Sequence, residues 1–144
     1  MGKTNWMRVF LGGLLAGVVI IVLGFATWVI YLGKLWSPVM EALGHPFPAL
    51  TVGDYVFAIV FSLVSGILAV WLYAAIRPRY GAGPKTAVIA GLFFWVIGGL
   101  FPAISFGSMG LFPVNVLLAD GLTYLVIYIV AMLLGAWVYK EQSQ

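Results

Sequence analysis

The sequence predicts an all-α fold, a bundle of four transmembrane helices that forms one integral membrane domain over residues 1–144. Of the 144 residues, 64% are hydrophobic and 8% are charged, whereas a soluble domain carries about 25% charged residues. Four apolar runs are each long enough to cross the roughly 30 Å hydrocarbon core of a bilayer as a helix. These runs do not alternate polar and apolar residues as the strands of a membrane barrel do, so we expect helices.

The four predicted spans cover about residues 9–32, 55–76, 87–104 and 117–139. None of them contains Lys, Arg or Glu. Inside lipid the backbone must satisfy its own hydrogen bonds, which only a helix or a closed barrel allows. The first span is longer than the apolar region of about 7–15 residues in a signal peptide, so we expect it to be retained as helix 1.

Lysine and arginine predict the direction of the spans, because cytoplasmic loops hold an excess of these residues. One side of the predicted membrane holds six of them: Lys3, Arg8, Arg77, Arg79, Lys85 and Lys140. The other side holds only Lys34. Both termini and the loop between helices 2 and 3 are therefore predicted to be cytoplasmic, in an inner (plasma) membrane.

The two predicted outer loops carry different signals. Between helices 1 and 2, Ser37-Pro38 is typical of a helix start and Gly44 of a helix end, which predicts a short separate helix on the outer membrane surface. Thr51-x-x-Asp54 is similar to a capping box and is expected to open helix 2. Between helices 3 and 4, residues 105–114 carry no charge, and we expect this loop either to rest on lipid or to dock onto a partner.

The two halves of the chain resemble each other. A shift of 66 positions carries helix 2 onto helix 4 and matches Asp54 with Asp120, Trp71 with Trp137, and Tyr73 with Tyr139. A shift of 74 positions carries helix 1 onto helix 3 and matches Gly17 with Gly91 and Gly24 with Gly98. The pattern predicts a duplicated helical hairpin whose two copies have the same orientation. The alternative is chance, because small residues and terminal aromatics recur in many membrane helices.

Small residues predict where helix backbones approach each other closely. The candidate packing positions are Gly13, Gly17 and Gly24 on helix 1, Gly91 and Gly98 on helix 3, and Gly135 on helix 4. They are expected to build the internal bundle or, alternatively, an oligomer.

Asp120 begins a polar stripe on helix 4. Thr123, Tyr124 and Tyr128 follow it after three, four and eight positions, which places all four residues on one helix face. Ionisable groups inside a membrane are candidates for function, so the stripe is a candidate path for protons, cations or a small polar solute. The alternative is a packing stripe that holds helices together by hydrogen bonds.

Three cations, Arg77, Arg79 and Lys85, lie in the predicted cytoplasmic loop. We expect them to fix the topology and to contact anionic lipid head groups. The adjoining Gly-Pro-Lys-Thr sequence differs from a phosphate-binding loop, because Pro84 separates the glycine from the lysine and no strand precedes it.

The composition argues against several chemistries. The chain has no cysteine and a single histidine, His45, which lies outside the spans, so we expect no cofactor and no metal. Glu41 lies four residues before His45, but Gly44 is expected to end the helix that would align the two. No catalytic residue is assigned, so no enzyme is expected. The seven Lys and Arg residues are too few for a nucleic-acid surface.

The segment at residues 71–86, WLYAAIRPRYGAGPKT, and the opening WMRV at residues 6–9 resemble small uncharacterised bacterial membrane proteins. The resemblance extends over most of the chain and implies a four-helix integral membrane protein. It implies no activity and assigns no site residue.

These observations favour a non-enzymatic multi-pass membrane protein that acts as an accessory or scaffolding subunit. Its expected partners are the lipid bilayer and other membrane proteins or further copies of itself. The alternative is a small transporter or channel for protons, cations or a small polar solute, in which Asp120 lies in the path. A lipid-handling protein that uses the cations of residues 77–85 is a third possibility.

Overall fold

The computed structural model describes residues 4–47 and 50–140, and its regular structure is helical, with no strand in those ranges. Four long helices follow one another: α1 is Trp6–Ala42, α2 is Val52–Tyr80, α3 is Pro84–Ser108 and α4 is Val114–Val138. Each is long and apolar enough to cross a membrane. The number of long apolar helices and the all-helical bundle predicted from the sequence are confirmed.

Local signals explain several helix ends. The predicted capping box at α2 is confirmed: Thr51 Oγ1 accepts a hydrogen bond from the Asp54 amide at 3.3 Å, and Asp54 Oδ2 accepts one from the Thr51 amide at 2.8 Å. These two bonds satisfy backbone donors that the first helical turn leaves open. At α1 the Asn5 side chain accepts a bond from the Arg8 amide at 3.2 Å.

The prediction of a separate surface helix after helix 1 is wrong. Residues 33–42 continue α1 through a π-helical turn at Trp28–Leu32. Gly33, a residue type that often ends a helix, has helical angles of φ −57° and ψ −38°. The Ser37 side chain does not cap a helix start. Only Gly44, with φ +74°, ends the run as expected, because this left-handed conformation favours glycine.

The third span is also longer than predicted. It extends from Pro84 to Ser108 and contains a second π-helical turn at Val96–Leu100. The loop before α4 therefore shrinks to residues 109–113, with Gly110 at φ +68°. Pro84 occupies the first turn of α3. Proline lacks a backbone N–H, and at this position that group has no partner within the helix.

Glycines let the helices touch where α1 crosses α2 and where α3 crosses α4. A Cβ atom on Gly17 would lie 2.7 Å from the Leu63 Cα, which is closer than real Cβ contacts. A Cβ atom on Gly91 would lie 3.3 Å from the Ile129 Cα. Both crossings thus depend on the absence of a side chain.

The buried positions of the two hairpins match. On α2 the buried residues include Ser65, Gly66, Ala69, Val70 and Tyr73, and the residues 66 positions later, Ala131, Met132, Gly135, Ala136 and Tyr139, are buried too. On α1, Gly12, Gly13, Ala16 and Gly17 are buried, as are Thr86, Ala87, Ala90 and Gly91, which lie 74 positions later. The core is made where these four faces meet, towards the ends of the helices that lie near both chain termini.

Candidate functional site

Two tyrosines close the core at the end that carries the chain termini. The rings of Tyr73 and Tyr139 meet edge to face, with centroids 5.9 Å apart. The Tyr139 hydroxyl accepts a hydrogen bond from the Asn5 amide at 3.5 Å, and the Tyr73 hydroxyl accepts one from the Gly83 amide at 3.2 Å. Since Asn5 caps α1 and Gly83 caps α3, each tyrosine joins its own helix to the start of another.

The sequence identifies Tyr73 and Tyr139 only as matched positions of its two halves, 66 residues apart. That spacing is the one signal that points to a shared role, and it does not predict the helix starts that the two hydroxyls bond. Their hydroxyls bond backbone amides that the first turn of a helix leaves without partners.

The predicted cations lie beside this tyrosine pair. The Arg77 guanidinium lies over the Tyr139 ring, 5.4 Å from its centroid, which is a cation–π geometry. Arg79 and Lys85 are exposed at the end of α2 and at the start of α3. Their contact with anionic lipid stays a prediction.

Asp120 lies near the other end of the bundle, where it contacts α1. The carboxylate is half-buried and accepts a hydrogen bond from Trp36 Nε1 at 3.2 Å. Trp36 belongs to the part of α1 that continues beyond the π-helical turn, so the unpredicted extension of this helix supplies the partner. The aspartate is thus held by an indole N–H rather than by a cation.

Two more hydrogen bonds hold the half of α4 that lies away from the chain termini; this half of each helix is called the outer half below. The Tyr31 hydroxyl of α1 bonds the Thr123 hydroxyl, which in turn donates to the Ala119 carbonyl of its own helix at 2.6 Å. From α3, Trp95 Nε1 donates to the Gly121 carbonyl at 2.7 Å. Side-chain hydrogen bonds therefore join three helices at this level, and within residues 4–47 and 50–140 none of them reaches α2.

The two tyrosines of the predicted stripe point between small residues of α1 and α3. Their rings lie 5.9 Å apart. A Cβ atom on Gly24 would lie 3.9 Å from the Tyr124 hydroxyl, and one on Gly98 would lie 4.0 Å from the Tyr128 hydroxyl. These glycines therefore accommodate tyrosines and contact no neighbouring backbone, unlike Gly17 and Gly91.

The structure divides the polar stripe into two parts. Asp120 and Thr123 bond to α1, whereas Tyr124 and Tyr128 pack with their hydroxyls near glycines and donate no hydrogen bond within residues 4–47 and 50–140. The first part acts as a tie between helices. The second part makes no hydrogen bond between helices within the described residues.

Gly13 and Gly135 complete the predicted packing set. A Cβ atom on Gly13 would overlap the Ile67 backbone, and one on Gly135 would lie 2.7 Å from a Val70 methyl and 2.9 Å from the Gly12 carbonyl. Both glycines thus lie inside the bundle, against α2 and α1.

An open groove of about 450 Å³ runs between α1 and α4. It is lined by Leu23, Thr27, Tyr31, Ala119, Leu122, Thr123, Val126 and Ile127. The hydroxyls along it are already bonded: Thr27 donates to the Leu23 carbonyl at 2.8 Å, and Tyr31 bonds Thr123. The groove therefore offers an apolar surface and few free polar contacts.

The outer half of α2 contrasts with that of α4. Every residue from Thr51 to Val60 is exposed. The Phe57 and Phe61 rings stack on each other at 5.9 Å and on no other helix. In the described part of the chain, this segment makes side-chain hydrogen bonds only within its own capping box. One transmembrane-length helix thus leaves the bundle for half its length.

No three residues of the types His, Cys, Asp and Glu cluster within the described ranges. Comparison of the chain with family models, with curated proteins and with solved structures finds no match. The resemblance to small bacterial four-helix membrane proteins stays a prediction, and the function has to be argued from the geometry above.

Proposed function

We propose that the chain is a non-enzymatic assembly subunit of a bacterial inner membrane, built from a duplicated helical hairpin. The observation that carries the proposal is the outer half of α2, where every residue from Thr51 to Val60 is exposed, whereas α1 and α3 cover one side of the matching half of α4. A subunit that acts by packing against other membrane proteins needs such a surface, and it needs no catalytic group.

Length and charge support insertion in the membrane. The 25 residues of α4 span about 37 Å at 1.5 Å per residue, which exceeds a hydrocarbon core of roughly 30 Å. Arg8, Arg77, Arg79, Lys85 and Lys140 lie at one end of the helices, and Lys34 lies towards the other. A reporter fused after Gln144 is expected to be active in its cytoplasmic form, and periplasmic activity would contradict this orientation.

The two crossings support duplication. Gly17 contacts α2 at Leu63, and Gly91 contacts α4 at Ile129. Gly17 and Gly91 differ by 74 positions, and Leu63 and Ile129 differ by 66, which are the shifts that align the two halves of the sequence. The bonds from Tyr73 to Gly83 and from Tyr139 to Asn5 each join the second helix of one hairpin to the start of the first helix of the other. Gly83 and Asn5 are 78 positions apart rather than 74, so these two bonds match in direction but not in position.

The alternative function, a carrier that uses Asp120, has one observation in its favour. The Tyr124 and Tyr128 hydroxyls lack partners within the described residues, so a polar solute could bind there. Against it, Asp120 and Thr123 are bonded to α1 and hold two helices together. Interhelical bonds of this kind are a common use of polar residues in membranes.

Purification in a mild detergent tests the proposal. We expect the native particle to have a mass well above the 15.6 kDa of one chain plus detergent, with its subunits identified by mass spectrometry. A particle that contains a single chain and no second protein at several detergent concentrations would contradict the assembly role.

A further inference from the structure

We propose that the outer halves of α1, α3 and α4 form a binding cleft for an organic cation, called the outer cleft below. Its floor is the polar stripe of α4, in which the Asp120 carboxylate holds the positive charge and Tyr124 and Tyr128 contact the ligand. The inference goes beyond the assembly role and does not depend on it, because packing against other proteins needs no bound ligand.

The walls of the outer cleft are α1 and α3. Both helices pack along α4, but within the described residues they pack little on each other. Thr123 bonds to α1, and the Gly121 carbonyl accepts a bond from α3. Since each residue turns an α-helix by about 100°, Asp120, Tyr124 and Tyr128 lie between these two contacts. The polar stripe therefore faces the space between α1 and α3.

Room beside the stripe comes from two glycines and from the path of α2. Gly24 of α1 and Gly98 of α3, 74 positions apart, have no side chain where the Tyr124 and Tyr128 hydroxyls approach. In residues 4–47 and 50–140, neither hydroxyl makes a hydrogen bond and neither oxygen is fully buried. Every residue of α2 from Thr51 to Val60 is exposed, so the outer half of α2 does not fill the cleft.

A cation fits this cleft better than a lipid tail does. Trp36 donates one hydrogen bond to Asp120 Oδ1, and among the described residues no Lys, Arg or His pairs with the carboxylate. A carboxylate without an opposite charge is costly at membrane depth, where ionisable groups usually pair. Hydrocarbon offers the carboxylate and the two phenols neither a charge nor a hydrogen bond. A bound cation supplies the missing charge.

The aromatic lining indicates an organic cation rather than a metal ion. The Tyr124 and Tyr128 rings lie 5.9 Å apart, and the Phe94 ring meets the Tyr128 ring edge to face at 5.3 Å. Aromatic rings attract quaternary ammonium groups through their negative faces. A divalent metal ion needs several oxygen ligands, whereas no three His, Cys, Asp and Glu residues cluster in the described ranges.

The charges of the molecule also draw a cation to this end. The described acids are Glu41, Asp54 and Asp120, and all three lie in the outer part of the molecule together with one lysine, Lys34. The five other described Lys and Arg residues lie at the opposite end. The outer end therefore has a net negative charge, which raises the local concentration of positive ligands.

The outer cleft is closed at its inner end. Tyr128 lies eight positions, or about 12 Å, deeper than Asp120. Beyond it Ala131 and Met132 are exposed by only 2% and 1%, where Gly91 brings α3 against α4. We therefore expect a cation to bind from the outer side without passing through the bundle.

Binding of benzyltrimethylammonium tests the site, because this cation joins a quaternary ammonium to an aromatic ring. The tritiated cation is equilibrated with the purified full chain in lipid nanodiscs, and binding to empty nanodiscs is subtracted. Neopentylbenzene has the same shape without the charge and serves as the competitor. We expect saturable binding of one cation per chain, which an excess of neopentylbenzene does not displace.

Two variants and one matched control locate the bound cation. Asp120→Asn removes the charge and should weaken binding by about tenfold or more, which corresponds to about 1.4 kcal/mol. Gly98→Leu keeps the charge but fills the space beside Tyr128, and it should weaken binding as well. Asp54→Asn makes the same change as Asp120→Asn at the matching position 66 residues earlier, in the capping box outside the cleft, and should leave the affinity unchanged. Melting temperatures show which variants are folded.

Three results would each overturn the cation site: no saturable binding to the original chain, displacement by neopentylbenzene, or equal affinities of Asp120→Asn and Asp54→Asn. If Asp120→Asn does not fold, Gly98→Leu and the neutral competitor decide, and an unchanged affinity in Gly98→Leu contradicts the site. None of these results touches the assembly role, which is tested by the mass of the native particle.

Discussion

The two hairpins are alike at one end and different at the other. Near the termini they bury matching residues and cross at matching glycines. Further out, Asp120, Thr123 and the Gly121 carbonyl bond α4 to two neighbours, whereas the residues that the structure describes give α2 no such hydrogen bond. Both segments are apolar, so hydrophobicity does not separate them. In a lipid environment, where apolar helices gain little from leaving lipid, a few polar contacts decide which segments pack.

Matched positions explain the difference. The residue that corresponds to Thr123 on α2 is Phe57, and the one that corresponds to Tyr124 is Ala58. Asp54 does correspond to Asp120, but its carboxylate bonds Thr51 in the capping box. Helix α4 begins at Val114, so Asp120 lies in its second turn. It is therefore too far along the helix to accept hydrogen bonds from the first-turn amides, which lack partners within the helix. The same residue type is therefore a cap in one hairpin and a tie in the other.

The largest expected loss of stability tests whether the α1–α2 crossing and the α3–α4 crossing depend on glycine in the same way. Gly17→Leu and Gly91→Leu should both destabilise the protein, by about 1–3 kcal/mol or more, because overpacking forces the helices apart. The loss should be greater at Gly17, where the neighbouring backbone is closer. Thermal unfolding in detergent measures the loss of stability in both variants. Alanine at either position should destabilise the protein less than leucine does.

Gly121→Ala is the control for the glycine series, since a Cβ atom there meets nothing within 4 Å outside its own helix. Its melting temperature should not fall. If Gly17→Leu and Gly91→Leu were tolerated as well as this control, both crossings would face lipid and the comparison of the hairpins would fail.

Substitutions with an intermediate expected effect on stability test the difference between the outer half of α4 and the outer half of α2. Thr123→Val keeps the shape of the side chain but removes the hydroxyl that bonds Tyr31, so we expect a loss of about 0.6–1.7 kcal/mol, the range for interhelical bonds in membranes. Phe57→Leu at the matching position should change stability by less than about 0.5 kcal/mol, because Phe57 is exposed and its ring contacts only Phe61 of its own helix. Chemical unfolding of both variants checks this, and equal losses would mean that α2 is held too.

The smallest expected effect on stability concerns Asp120. This substitution distinguishes a residue that joins two helices by a hydrogen bond from a residue that carries protons or cations. Asp120→Asn keeps an oxygen that can accept from Trp36. We expect it to cost less than about 0.5 kcal/mol, because the hydrogen bond to a neutral amide is weaker but burying a neutral group costs less than burying a charge. Proton or cation flux into liposomes should be the same for the variant and the original chain. A flux that the original chain supports and Asp120→Asn abolishes, with the melting temperature unchanged, would favour the carrier.

Much of the fold could be predicted because it depends on local pattern. The length of the apolar runs predicted the four helices, and the pair Thr51 and Asp54 predicted the capping box of α2. The continuation of α1 through Gly33 could not be predicted, since glycine tolerates helical angles as well as breaks. The polar stripe was predicted by its spacing, but its partner was not, because Trp36 and Asp120 are 84 residues apart and no local signal connects them.

The π-helical turn in α1 has a consequence for insertions and deletions. At this turn the Gly33 amide bonds the Trp28 carbonyl, five residues back, so the turn holds one residue more than an α-helical turn. Deleting a single residue between Trp28 and Leu32 would therefore restore regular winding and leave Trp36 facing Asp120. In regular α-helix each residue turns the chain by about 100°, so deleting one residue between Gly33 and Trp36 would rotate Trp36 away from Asp120. The chain should accept the deletion inside the π-helical turn more readily than the deletion just after it.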